Sequence, residues 1–555
     1  MPEYLAPGVF IGDVEPRPRT IEGVATDAAT FIGLTRRGSS ATEPALLTSW
    51  NDFVRRFGAP ADLGIIPATN YLAHAARAYF AEGGRRLRVI RVRPAGATAA
   101  SSAELIPGKA ACWRAVFAGA AGNGQVTLRL QARPLPRNQL AGCPDGSLVR
   151  LNRPQPEYAV KRSNQWWNPA KPAQARRPGT GTVPLNLLSL TVTVTDADGQ
   201  TETHADLGFD PLHPRYVGTV FSGVSHPAEM EPAPWLILEL SSAVTPVDWV
   251  RLAQPPTGAP ELSFPLRGGQ DAVPSAADWE AALTWPETEP GLTTVAAPGH
   301  SEFPTAEAIA DALVRQAEAG RGRRFALLEA PCGSDLPAVR QYRARFDSQF
   351  AALYFPWVVV PDPATGRELI LPPSGFVAGI FARTDSERGV HRAPANEVVR
   401  SALRFERPVT SAEQATLNPV GINCLRSLPG RGLRVWGART MSSDLEWHYV
   451  NVRRYLSYVA ISLDEGLRWT VFEPNGDRLW ADVRAASEDF LFREWQRGAL
   501  LGGRPTEASF VRCDRSTLSQ ADLDTGLCVV LVGVAVLKPA EFLIFRLGLK
   551  TAASG

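Results

Sequence analysis

Residues 526–550 read GLCVVLVGVAVLKPAEFLIFRLGLK, and residues 4–23 read YLAPGVFIGDVEPRPRTIEG. Both stretches are apolar, strand-forming and broken by proline, and neither has an obvious strand partner beside it in sequence. Val9 and Ile11 fall on one face of an extended strand, as do Phe542, Ile544 and the stem of Arg546. Pro7-Gly8, Pro16 and Pro18 keep the first arm from folding back as a helix, and Pro539 separates the last strand from the one before it. Unpaired strands invite pairing with another chain. The expectation is a protein that assembles with copies of itself. Tyr4, Leu5, Val9 and Ile11 from one arm, and Phe542, Ile544 and Arg546 from the other, then make the contacts between subunits. The alternative is that the two termini pair with each other in one chain.

At 555 residues the chain is too long for one simple core, and several domains are expected. It is 45% hydrophobic and 21% charged with a formal net charge of +2, a composition that gives no reason to expect a nucleic-acid or membrane partner. The start lacks a basic segment followed by an apolar one, so no secretory signal is expected. The longest apolar run, 527–537, is far shorter than the roughly 20 residues of a membrane helix. Six cysteines are scattered without a CxxC pair and read as reduced thiols.

Along the chain, residues 30–35 read as a buried strand. Ser49 is a helix cap ahead of Trp50, Phe53, Val54 and Phe57, with Gly58 at the end. A second helix is expected over 70–82, stopped by Gly83-Gly84, and a strand over 87–92. Between 95 and 264 the pattern changes to alternation, as in Val126, Leu128, Leu130 and Leu190, Val192, Val194, the latter followed by an Asp198-Gly199 turn. That is the signature of antiparallel hairpins. Residues 138–184, rich in proline, glycine and arginine, read as a long surface loop. From 265 on, helices (306–319, 336–346) alternate with strands (325–328, 353–360), which argues for βαβ units. A helix is expected from 372–375 to Thr384, and two more over 450–463 and 481–497.

No phosphate-binding loop or nucleophile elbow is present. Arg267-Gly268-Gly269-Gln270-Asp271 reads as a turn opening a domain. The seven histidines have no metal-ligand spacing. His391 near Asp385 and Glu387 reads more readily as a polar helix end than as an acid–base pair. Asp444, Glu446, Arg453 and Arg454 beside Trp436 and Trp447 read as a contact between elements or subunits. No cofactor and no metal is expected.

Three sets of blocks resemble one family. They are YLAPGVF (4–10), IEGVATDAATFIGLT (21–35), LLTSWNDFVRRFG (46–58) and YFAEGGRRLRVIRV (79–92); then AALYFPWVVVPDP (351–363) and ILPPSGFVAGIFARTDSERGVHRAPAN (370–396); then NPVGINCLR (418–426), GLRVWGARTMSSDLEWHYVNVRRYL (432–456), FEPNGDRLW (472–480), FLFREWQRGALLGG (490–503), FVRCD (510–514) and PAEFLIF (539–545). In this order the chain resembles the contractile tail sheath proteins of phages and contractile injection systems. Residues 95–264 match no block.

The resemblance implies a multidomain α/β (α+β) fold. Its mixed-sheet core is built from the N- and C-terminal parts, with inserted β-rich and βαβ domains and extended terminal arms. The expected division is an arm over 1–20, core over 21–94, an outward β-rich insertion over 95–264, an α/β domain over 265–407, core over 408–535 and an arm over 536–555. The resemblance also implies hexameric rings stacked helically around an inner tube, with baseplate and cap proteins as further partners and assembly in a bacterial cytoplasm. Contraction drives the tube through a target envelope. A basic helix carrying Arg484, Arg493 and Arg497, or else Arg453 and Arg454, is expected to face the tube. A cap or baseplate component on the same fold is the alternative, and an α/β enzyme a more distant one.

Overall fold

The computed structural model describes residues 20–541 apart from 39–44, 177, 179–182, 224–233, 254–260, 285–290, 321 and 363–364. At its centre is a nine-stranded sheet in the order Ala45–Leu47, Arg86–Arg91, Ala28–Gly33, Thr293–Ala296, Arg324–Glu329, Ala351–Phe355, Ile422–Leu428, Gly432–Trp436, Glu397–Val398. The strands from Arg86–Arg91 to Ile422–Leu428 run parallel, and the edges turn antiparallel. A parallel sheet is covered on both faces, so its strands read as continuous apolar runs. Thr293–Ala296, Arg324–Glu329 and Ala351–Phe355 are buried throughout. Within them the period of two still sorts the side chains. Phe325, Leu327, Ala352 and Tyr354 enter one core, while Ala326, Leu328, Ala351, Leu353 and Phe355 enter the other.

The first face carries the helices Tyr71–Ala81 and Ser374–Arg388, the second Ala276–Leu283, Ala306–Ala319 and Leu336–Arg343. Two glycines let the first pair approach. A Cβ on Gly375 would lie 2.6 Å from the Ala75 Cα, and one on Gly379 would lie 2.6 Å from the Tyr79 carbonyl oxygen. The helices are therefore in backbone contact, which buries Ser374 to Asp385 without interruption.

Strands from 28–91, 293–355 and 422–436 follow one another in this one sheet, with Glu397–Val398 at its far edge, so strands of residues 265–407 pair directly with those of 28–91 and 422–436. The strand expected over 353–360 is two, Ala351–Phe355 and Val358–Pro361, which enter different sheets on either side of Pro356. Ser49 and Gly58 cap as expected, and Asn70, expected as the first residue of its helix, is that helix's N-cap.

Residues 95–264 form antiparallel sheets of eight and three strands. The surface loop expected over 138–184 carries four strands, Leu148–Leu151, Glu157–Arg162, Gln165–Asn168 and Lys171–Arg176. Pro144 precedes these strands, Pro154, Pro156 and Pro169 fall between them, and Pro172 lies in the edge strand Lys171–Arg176, where proline is tolerated. Lys161 points inward, donating to the carbonyls of Ala141 and Cys143 at 2.7 and 2.6 Å. The insertion leaves and returns through a two-stranded neck, where Thr98 exchanges backbone hydrogen bonds with Gln270 and Ser101 with Arg267. Residues 267–270, expected as a turn, instead form the returning side of this neck. Arg36 makes two bonds to Asp198, and Arg37 meets the buried Asp196 at 3.0 Å, so the 196–199 turn is pinned to the end of strand Ala28–Gly33.

A C-terminal layer completes the molecule. Its helices Val450–Gly466 and Asp477–Gln496 back a two-stranded ribbon, Ser509–Arg512 with Leu531–Val534. Arg454 reaches from the first helix to Asp385 on the Ser374–Arg388 helix, an ion pair sealed from solvent on both sides.

Candidate assembly surface on the C-terminal layer

The ribbon is an apolar structure left partly uncovered among the described residues. Residues 527–537, LCVVLVGVAVL, contain no charged or polar side chain other than the Cys528 thiol, and yet none of them is buried. The alternation of the strand explains how they divide. Val530, Val532, Val534 and Val536 lean on the apolar cluster of the helical pair. Leu527 and Leu531, on the other face, are 50% and 48% exposed. Phe510, 48% exposed, lies over Gly533 from the neighbouring strand, and the Arg512 guanidinium sits 5.4 Å from its ring centroid.

One edge is also open. Leu531–Val534 pairs with Ser509–Arg512, and the same side continues through Ala535, which bonds Leu501 and Ala508. Among the described residues no strand pairs with the other edge. A two-stranded ribbon is marginal alone in water. Here it has a rigid backing. Tyr455 and Tyr458 from one helix reach the buried Glu494 carboxylate on the other at 3.3 and 3.1 Å, and burial beside that carboxylate pushes both phenols up. Nearby, Val471 and Phe472 project from the loop between the helices. Phe472 is fully exposed on a left-handed backbone (φ 70°), an uncommon conformation for a bulky residue.

The chain enters the core past the same layer. Ile21 is fully buried, its carbonyl accepts from Arg493 at 2.8 Å, and the Val24 amide donates to Ser462 Oγ at 3.1 Å. The root of the N-terminal arm is therefore clasped by both C-terminal helices. The expected arm residues Tyr4, Leu5, Val9, Ile11, Phe542, Ile544 and Arg546 lie outside the described residues.

The basic residues expected to face a partner do not form one surface. Arg484 is nine positions before Arg493, half a turn out of phase, so it lies on the opposite side of the helix. Arg493 is occupied with Ile21 and with Asp489 at 3.2 Å. Arg497, 65% exposed, bonds Glu494 at 3.0 Å. Arg454 is interior, and Arg453 is held between Phe350 and Trp447, 4.9 and 4.4 Å from their ring centroids. Arg453 and Arg454, the alternative patch, both make contacts inside the chain. Asp444 and Glu446 join neither; Asp444 accepts from the Glu446 amide. His391 has no acid–base partner in Asp385, which Arg454 occupies; its ring meets the edge of Tyr455. Burial pushes the Asp385 carboxyl up, with the Arg454 guanidinium opposing that shift. The exposed Phe472 has no distinguishing signal in sequence, whereas residues 526–550 read there as strand without an obvious partner in their own chain.

Two family models match in succession: the phage tail sheath protein central domain over residues 273–441 and the phage tail sheath C-terminal domain over 442–550, together half of the chain. A prophage major tail sheath protein of Pseudomonas aeruginosa is 33% identical over 181 residues, 32% of this chain and 45% of that one. The chain thus spans less than half the length of that curated relative. The contracted helical sheath of the anti-feeding prophage is 22% identical with a TM-score of 0.52, covering 98% of this chain and 99% of that one. The contracted PVC sheath of an extracellular contractile injection system is 18% identical with a TM-score of 0.52, covering 99% and 98%. At these identities the likeness is one of fold.

Proposed function

Because the chain belongs to the phage tail sheath family, we propose that it is the repeating subunit of a contractile sheath. Copies stack as hexameric rings around an inner tube, bounded by baseplate and cap proteins, in a particle assembled in a bacterial cytoplasm. Shortening of the sheath drives the tube through a target envelope. The observation that carries this reading is the apolar 527–537 run: among the described residues its strand Leu531–Val534 is open along one edge, with Leu527 and Leu531 half-exposed. Such an edge is completed by strand addition, in which backbone bonds supply affinity and alternate side chains supply specificity.

The added strands are the terminal arms of neighbouring copies. Residues 1–20 bring Tyr4, Leu5, Val9 and Ile11, and residues 536–555 bring Phe542, Ile544 and Arg546. Each half-exposed side chain covered this way returns about 1 kcal/mol. That is small singly and large over a polymer. Strand tethers survive rotation of the bodies they join, so two packings of the same subunits are accessible, the contracted one lower in free energy. The work comes from that difference, and the subunit has no chemical step to perform.

Deleting residues 1–18 and imaging the product by negative stain tests the reading. Long tubes should disappear while a folded subunit remains. Normal tubes from the truncated protein would overturn it, and closed single rings from the full chain would mark a cap or baseplate component instead. For the tube, Arg497 is the exposed arginine left from the expected set, fitted to an acidic partner. Arg497→Glu should abolish tube co-sedimentation and leave sheath contacts intact. Unchanged binding removes this helix from the tube interface.

A further inference from the structure

Two of the six thiols are in contact. Cys513 directly follows the strand Ser509–Arg512, and Cys528 lies three residues before Leu531–Val534. Their sulfurs are 3.8 Å apart. The other four sulfurs are engaged elsewhere: Cys112 with Glu239, Cys143 with the Gln139 carbonyl, Cys332 with Glu406 and Cys424 with the Ile422 carbonyl. Cys513 is fully buried, whereas Cys528 is half-buried. Both lie in a small apolar cluster with Leu479, Trp480, Val483 and Leu518. Burial, and then the neighbouring Cys528, push the Cys513 thiol up to about 12, with the Arg484 guanidinium opposing. The buried sulfur is therefore the poor nucleophile of the pair, and the accessible one is placed to react first.

We propose that Cys513 and Cys528 are a redox site that takes a low-molecular-weight disulfide and closes to an intrachain disulfide, locking residues 514–527 at the base of the ribbon. The Cys528 thiolate attacks one sulfur of the small disulfide. Its S–S bond breaks, a mixed disulfide forms on Cys528, and one small thiolate leaves. Cys513 then gives up its proton and attacks the Cys528 sulfur, expelling the second small thiol. Two protein thiols are oxidised and one small disulfide is reduced to two thiols. A side-chain rotation brings sulfurs at contact distance to the bonded 2.05 Å or so. The closed loop constrains the connection between the two strands, and its effect is greatest on local opening. The inference does not depend on what covers the ribbon in an assembly.

The full-length subunit is incubated with oxidised glutathione, quenched in acid, and mapped without reduction. Free thiols should fall from six to four. Each molecule should lose the mass of two hydrogen atoms, and the peptides carrying Cys513 and Cys528 should be joined. Cys513→Ser should instead retain one glutathione on Cys528. Trypsin cleavage after the exposed Arg515 should slow on the order of tenfold in the oxidised protein. Six free thiols remaining, a lasting glutathione adduct on the unaltered chain, or a different linked pair would each overturn the site. Unchanged cleavage after Arg515 would overturn the lock. Mapping of the unaltered chain decides the matter even where the serine variant does not fold.

Discussion

Arg454 shows how far a single charge depends on a distant partner. Its guanidinium has no solvent access, and Asp385, equally enclosed, holds it through two bonds while the Phe381 ring covers its face at 4.8 Å. Removing one member of such a pair strands the other in an apolar site, which costs about 3–5 kcal/mol. Arg454→Met should therefore lower the urea midpoint of the subunit sharply. The double variant Arg454→Met with Asp385→Leu should recover most of that loss, since a filled apolar site tolerates the absence of both charges. If the double variant is as unstable as the single one, the pair does more than neutralise itself. In sequence Arg454 sat beside Arg453 and read as part of a basic patch. Nothing local marks it as interior, because the partner that decides its burial is 69 positions away.

Elements whose signals are local were legible. Ser49, Asn70 and Gly58 announced the ends of their helices through side-chain and backbone hydrogen bonds made within a turn, and Ala306–Ala319 was read to the residue from its apolar period. Elements defined by pairing were not. Leu148–Leu151 and Gln165–Asn168 are four residues each, too short to show alternation, and the prolines between them imitate a loop. The ribbon is legible as apolar strand but not in its pairing, because an apolar strand reads the same whether its own chain or another chain covers it. That difference is measurable at Leu531. Leu531→Asp replaces a half-exposed side chain on the open face, so subunit stability should move by no more than about 0.5 kcal/mol. Under the strand-addition reading the same change should prevent growth of long polymers, scored by sedimentation. A large loss of subunit stability would show that the face is covered from within the chain.

The described residues form several sheets, as the sequence suggested, and the largest of them joins strands from distant parts of the chain. Whether the strands of 265–407 stand alone or join those of 28–91 is settled by pairings such as Ala28 with Thr293, which no window of sequence contains. The insertion is separable because its entry and exit are paired at Thr98 and Gln270. Replacing residues 99–269 with a short Gly-Ser linker should leave a folded core with an unchanged assembly state, read by scattering and imaging. Replacing 138–184 alone should fail, since it removes four strands from an eight-stranded sheet. An aggregated core in the first case would mean that the grip of Arg36 and Arg37 on Asp198 and Asp196 is a structural requirement. The neck has a further consequence, for descent. A module whose two ends meet can be exchanged between lineages by one recombination event on each side, with no rethreading of the host. The insertion is then free to diversify, while the nine-stranded sheet it departs from keeps its shape.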